Sequence, residues 1–131
     1  MKAEAKPVTI AVREGTVSGL LLQPAKPIAL YVLAHGAGAG MAHPFLAQLS
    51  AALAERHVAT LRYQFPYMER GSRRPDSPGA AQATAAAAVA AAGQLSRGLP
   101  LFAGGKSFGG RMTSQAAAHG LIPMVKGLIF F

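Results

Sequence analysis

With 131 residues, 51% of them hydrophobic and 14% charged, the chain is long enough for one buried core and too short for a multi-domain machine. The absence of cysteine excludes disulfide frameworks, thiolate metal sites and thiol nucleophiles, which leaves chemistry to oxygen and nitrogen. Lys and Arg outnumber Asp and Glu by 13 to 5, a net charge of +8. The cations are scattered from Lys2 to Lys126 apart from a knot at Arg70, Arg73 and Arg74, so a nucleic-acid partner is not expected.

Residues 1–7 (MKAEAKP) lack the apolar stretch of a signal peptide, which predicts a cytoplasmic protein. Residues 8–13 and 16–22 are β-rich runs separated by Glu14 and Gly15, a pair suited to a hairpin turn. Residues 28–34 (IALYVLA) form an unbroken apolar run, as expected of a strand covered on both faces. Three glycines then interrupt the pattern between His35 and Gly40. Phe45, Leu49, Ala52 and Leu53 recur at helical spacing over residues 44–55, with Pro44 tolerated in the first turn. A short strand is predicted at 58–62, then a loop over 64–78. Ser77 and Pro78 offer an N-cap and a first-turn proline to an alanine-rich helix reaching Ser96. That helix is too poor in large apolar side chains and too short to span a bilayer, so no membrane partner is expected. A third buried strand is predicted at 99–103, a helix over 108–119 closed by Gly120, and a last strand at 125–131. The order, ββ then β-α-β-α-β-α-β, predicts an α/β fold, with a mainly parallel sheet between helices and right-handed crossovers.

Two glycine-rich segments carry the chemistry. Gly105-Lys106-Ser107-Phe108-Gly109 fits G-x-S-x-G between an apolar strand and a helix, where flanking glycines permit a sharp turn that lifts the serine oxygen above the sheet. The helix that follows directs free N–H groups and its positive dipole end at the same place. Ser107 is therefore the candidate nucleophile. His35-Gly36-Ala37-Gly38 follows the 28–34 strand, and such a loop can turn a second backbone N–H toward a tetrahedral oxyanion. Loops at the carboxyl ends of neighbouring parallel strands meet at one crevice.

HGAGAGMAHPF (35–45), RYQFPYMERGSRRPD (62–76) and AGGKSFGGRM (103–112), taken in this order, resemble the α/β-hydrolase superfamily. More closely they resemble its dienelactone-hydrolase-like branch, grouped with the KANL3/Tex30 proteins. The resemblance implies an acyl-enzyme at Ser107 and an oxyanion hole from the N–H groups of Phe108 and Ala37. It further implies a nucleophile elbow of Gly105, Lys106 and Gly109, and a site lined by His35, Gly36, Met41 and His43, with the 63–76 loop at the entrance. It implies a small-molecule ester, thioester or lactone substrate, no metal and no organic cofactor. Such hydrolases need an acid and then a histidine after the serine. No Asp or Glu follows Ser107 in this sequence, and His119, twelve residues along one helix, would lie about 18 Å away. The expectation is thus a chain truncated at its carboxyl end, with the acid and the histidine beyond Phe131. Two other classes compete. One is a non-catalytic interaction module on the same fold. The other is a P-loop around Gly105-Lys106-Ser107, which lacks the first glycine of that motif because position 100 is Pro100.

Overall fold

The computed structural model describes residues 3–131; Met1 and Lys2, part of the segment in which no signal peptide was expected, lie outside the described residues. In chain order the elements are β1 (Lys6–Val12), β2 (Gly15–Leu22), β3 (Ala29–Ala34), α1 (Pro44–Glu55), β4 (Val58–Tyr63), α2 (Pro66–Glu69), α3 (Pro78–Leu95), β5 (Leu101–Gly105), α4 (Phe108–Ala118) and β6 (Gly127–Phe130). The strands form one sheet in the order β1-β2-β4-β3-β5-β6. β1 and β2 make an antiparallel hairpin and β2 runs antiparallel to β4, whereas β4, β3, β5 and β6 are mutually parallel. This is an α/β fold with a mixed, mainly parallel sheet.

The unbroken apolar run of β3 is explained by burial on both sides. Leu30, Val32 and Ala34 point into the larger core with α3 and α4, while Tyr31 and Leu33 face α1 and Leu46. Leu30 and Leu33 are fully buried, each worth about 1.5–3 kcal/mol relative to exposure. Ala81, Ala85, Ala88 and Ala92 form the buried stripe of α3, where small side chains let the helix lie close on the sheet. Ser77 Oγ accepts from Ala80 N–H at 3.3 Å and caps α3, with Pro78 in its first turn.

Several element boundaries shift by one or two residues from the sequence-based expectation, and three differences matter here. The hairpin turns at Arg13 and Glu14, and Gly15, at φ 135°, opens β2. β5 ends two residues later than expected, at Gly105, because Gly104 and Gly105 reach positive φ values that keep them in the sheet. The segment expected to be all loop contains α2, a single turn whose start is held by Asp76 Oδ2 accepting from Tyr67 N–H at 3.1 Å. Among the described residues, no helix is long and apolar enough to cross a membrane.

Candidate functional site

Only Lys106 and Ser107 separate β5 from α4. Closing so short a strand-to-helix turn forces Ser107 to φ 52°, ψ −115°, a conformation that costs a non-glycine residue of order 1–3 kcal/mol. The glycines make the turn sterically possible. A Cβ at Gly109 would strike His35 O and come within 2.6 Å of Ala34 Cβ, and one at Gly110 would lie 2.7 Å from Gly105 O. The turn is tied on both sides, by Lys106 N–H to Ala34 O at 3.1 Å and by Ser107 N–H to Phe131 O at 3.1 Å. Ser107 is exposed at the amino end of α4, and Phe108 N–H, in the first turn, has no backbone acceptor among the described residues. The chain therefore presents a hydroxyl next to a free donor and the positive end of a helix.

The segment 35–43 leads from β3 to α1 and supplies the facing wall. Gly36 lies against the Ser107 turn: a Cβ there would stand 3.8 Å from Ser107 Cβ and 3.6 Å from Lys106 O. His35 is fully buried and sets the orientation of this wall. Its Nε2 accepts from Phe65 N–H at 3.1 Å, so the neutral ring carries its proton on Nδ1 and donates it to Gly36 O at 2.7 Å. A trans peptide directs its N–H opposite to its C=O. With Gly36 O turned to the His35 ring, the N–H of Ala37 is directed away from that ring, and Ala37 lines the cavity. Tyr67 Oη donates to Ala37 O at 2.8 Å and fixes the next peptide. Burial, and secondarily the Asp76 carboxylate, push the Tyr67 phenol upward, which keeps it a donor. Behind these residues Phe65, Tyr67 and Phe108 stack edge-on around the imidazole and each other.

The cavity between the two loops has a volume of about 340 Å³ and is walled by residues 36–39 with His43, Leu46, Lys106 and Ser107. A second one, about 230 Å³, lies on the other side of Ser107 against Arg111, Ser114, Phe130 and Phe131. Lys106 places Nζ 5.2 Å from the centroid of the Phe45 ring, which in turn meets Phe131 edge-on at 5.9 Å. This cation–π contact directs the ammonium toward Phe45 of α1. A two-residue turn does not leave length to wrap a polyphosphate, which removes the structural basis for a P-loop.

None of the four imidazoles is hydrogen-bonded to Ser107. His35 is bonded through both ring nitrogens, and burial lowers its pKa against the opposing effect of its bond to Gly36. His43 Nδ1 accepts from Phe45 N–H at 3.1 Å as the N-cap of α1, which leaves the proton of the neutral ring on Nε2. His57 turns Nδ1 to Ala25 O, and His119 pairs with Gln82 Oε1 at the far end of α4.

The structure thus brings together Gly36, Ala37, His43, Gly105, Lys106, Ser107, Phe108 and Gly109. It differs from the sequence-based lining at two positions. His35 and Met41 are not among the residues lining this cavity: His35 is the loop's buried brace, and Met41 is held by its backbone N–H and C=O to side chains of residues 64 and 62. Of the 63–76 segment, expected at the entrance, Tyr63, Phe65 and Tyr67 are buried beneath the loop, while 69–71 and 73–75 are exposed. Leu46, Arg111 and Ser114 went unnoticed in the sequence. Arg111 and Ser114 had a signal available, being four and seven residues beyond Ser107 on one helical face.

A strained serine between a parallel strand and a helix, faced by a glycine-rich loop from the neighbouring strand, defines the α/β-hydrolase class. A family model described as an alpha/beta hydrolase domain matches residues 27–131, and the chain belongs to that family. No curated protein sequence matches it. Among solved structures it is similar to dienelactone hydrolase from Anabaena variabilis, at TM-score 0.87 and 20% identity over 99% of this chain and 63% of the other. It is also similar to a cold-adapted esterase from an Arctic intertidal metagenomic library, at TM-score 0.79 and 19% identity over 99% and 61%. A third is a lidless α/β serine hydrolase from Xanthomonas campestris, at TM-score 0.76 and 19% identity over 97% and 60%. The chain spans less than two thirds of the length of each.

Proposed function

We propose that this chain carries the nucleophile and oxyanion hole of a serine hydrolase that acts on a small ester, thioester or lactone. Ser107 Oγ attacks the acyl carbon, and the N–H groups of Ala37 and Phe108 hold the oxyanion of the tetrahedral intermediate that collapses to an acyl-enzyme. The observation that carries this is Ser107 at φ 52°, with Gly36 packed against its turn and Ala37 lining the same cavity. The general base is a histidine, oriented by an acid, outside these 131 residues. The known structures that the chain resembles are longer, and every imidazole present is committed or remote.

Without a base a serine hydroxyl is a weak nucleophile, so the 131-residue chain is expected to hydrolyse p-nitrophenyl acetate no faster than its Ser107→Ala variant. A polypeptide extended along its own reading frame to the length of the matched structures is expected to label with a fluorophosphonate at Ser107, and Ser107→Ala to abolish labelling. An unlabelled extended protein would favour a non-catalytic interaction module, which the committed imidazoles also fit. The branch grouped with the KANL3/Tex30 proteins is our assignment within the family, on the three ordered motifs. A cytoplasmic location is proposed on the amino-terminal sequence alone.

A further inference from the structure

Arg62 lies near the carboxyl end of β4, 5% exposed, with Leu33 of β3 as its register partner. Its Nη1 donates to Met41 O at 3.0 Å, and its Nε, also buried, meets no acceptor. No carboxylate pairs with it: the salt bridge among the described residues joins Arg70 to Asp76. A desolvated cation without a counter-charge is a costly way to make one hydrogen bond, since a buried charge is normally paired. What it holds accounts for its retention. Met41 N–H donates to Gln64 Oε1 at 2.8 Å, so two side chains of one segment grip Met41 by its N–H and by its C=O. The fit is close, because a Cβ on the preceding Gly40 would lie 2.6 Å from Gln64 Oε1 and 3.1 Å from Met68 Cγ. From Gly40 the chain is bonded onward: His43 N–H to Gly40 O at 3.1 Å, Phe45 N–H to His43 Nδ1, and Ala47 N–H to His43 O at 3.0 Å. His43 lines the cavity beside Ser107.

We propose that Arg62 is a positioning residue that holds the 40–43 half of the loop, and with it His43 and the start of α1, against the Ser107 cavity. His35 and Tyr67 position the 36–37 half, and Arg62 with Gln64 positions the other. The proposal rests on the hydrolase reading only for what the cavity is used for; the brace itself is independent of turnover.

Amide hydrogen exchange on the ¹⁵N-labelled 131-residue chain tests it. In Arg62→Met, exchange at Met41 and His43 is expected to accelerate at least tenfold while the amides of β3, β5 and α3 keep wild-type rates. Arg62→Lys, which retains the charge and a donor of similar reach, is expected to restore protection. If Arg62→Met does not fold, Arg62→Gln, too short to reach Met41 O, serves in its place with the same expectation. Unchanged rates at Met41 and His43, or acceleration spread equally through β3, β5 and α3, would overturn the proposal. Fluorophosphonate labelling of the extended protein separates the two ideas. Labelling of the unsubstituted protein with no local exchange change in the variants defeats the brace and leaves the hydrolase reading standing, and the opposite pair of results does the reverse.

Discussion

At Gly109 the smallest change carries a large steric consequence. An added methyl would be driven into His35 O and Ala34 Cβ, both backbone-fixed at the end of β3. Gly109→Ala is expected to lower stability by about 1–3 kcal/mol, read as a reduced denaturant midpoint, because neither neighbour is the end of a flexible side chain. His35 links the same spot to pH. Burial holds its folded-state pKa below the ordinary 6.5, so as the pH falls below that value the unfolded chain binds a proton that the folded chain refuses. The stabilisation from neutral His35 is therefore complete above pH 6.5 and declines on further acidification. Thermal melts between pH 7.5 and 5 should show a falling Tm, and His35→Gln, with a lower Tm throughout, should flatten that slope. A slope as steep in His35→Gln as in the parent chain would assign the effect to another group.

Among the elements, β6 depends most visibly on one residue of its neighbour. A side chain at Gly104 would collide with Ile129 O, and Gly104 sits at φ 157°, where side chains are disfavoured. Gly104→Ala is expected to detach β6 while sparing the β1–β2 hairpin, measurable as faster exchange at Phe131 N–H, which donates to Gly105 O at 3.0 Å. Strands and long helices were legible in the sequence for a local reason: apolar runs and helical spacing are written within a dozen residues. α2 escaped because four residues are too few for periodicity, and its anchor, Asp76, lies nine residues from the Tyr67 N–H it holds. The same distinction divides the site. The Ser107 turn was readable because its glycines are adjacent to it, whereas the roles of His35, Tyr67 and Arg62 depend on partners 21 to 30 residues away, which no window of spacing exposes. Lys106 stood out in the motif, but its contact with Phe45 appears only in three dimensions.

For the molecule as a whole, β6 is the strand that leaves the most large apolar side chains exposed. Leu128, Ile129, Phe130 and Phe131 are each 37–50% exposed, near the similarly exposed Leu121 and Met124 of the preceding segment, and β6 is an edge strand. Apolar edges of this kind template pairing between chains. The 131-residue chain is expected to self-associate with rising concentration in light scattering, and Leu128→Lys with Phe130→Lys, which share one face of the strand, to suppress it. A monomer at all concentrations would overturn this expectation.

The long-range ties of the 35–43 loop also make it depend on other elements for its shape. The β5–α4 turn takes its backbone ties from Ala34 of β3 and from Phe131. The loop, although it comes earlier in the chain, is held by Phe65, Tyr67, Arg62 and Gln64, which β4, α2 and the residues between them deliver. A partial opening confined to residues 62–76 would therefore leave Ser107 on its turn with the facing loop unsupported. The first loss of competence on gentle warming would then be an unfolding event too local for the main melting transition to register.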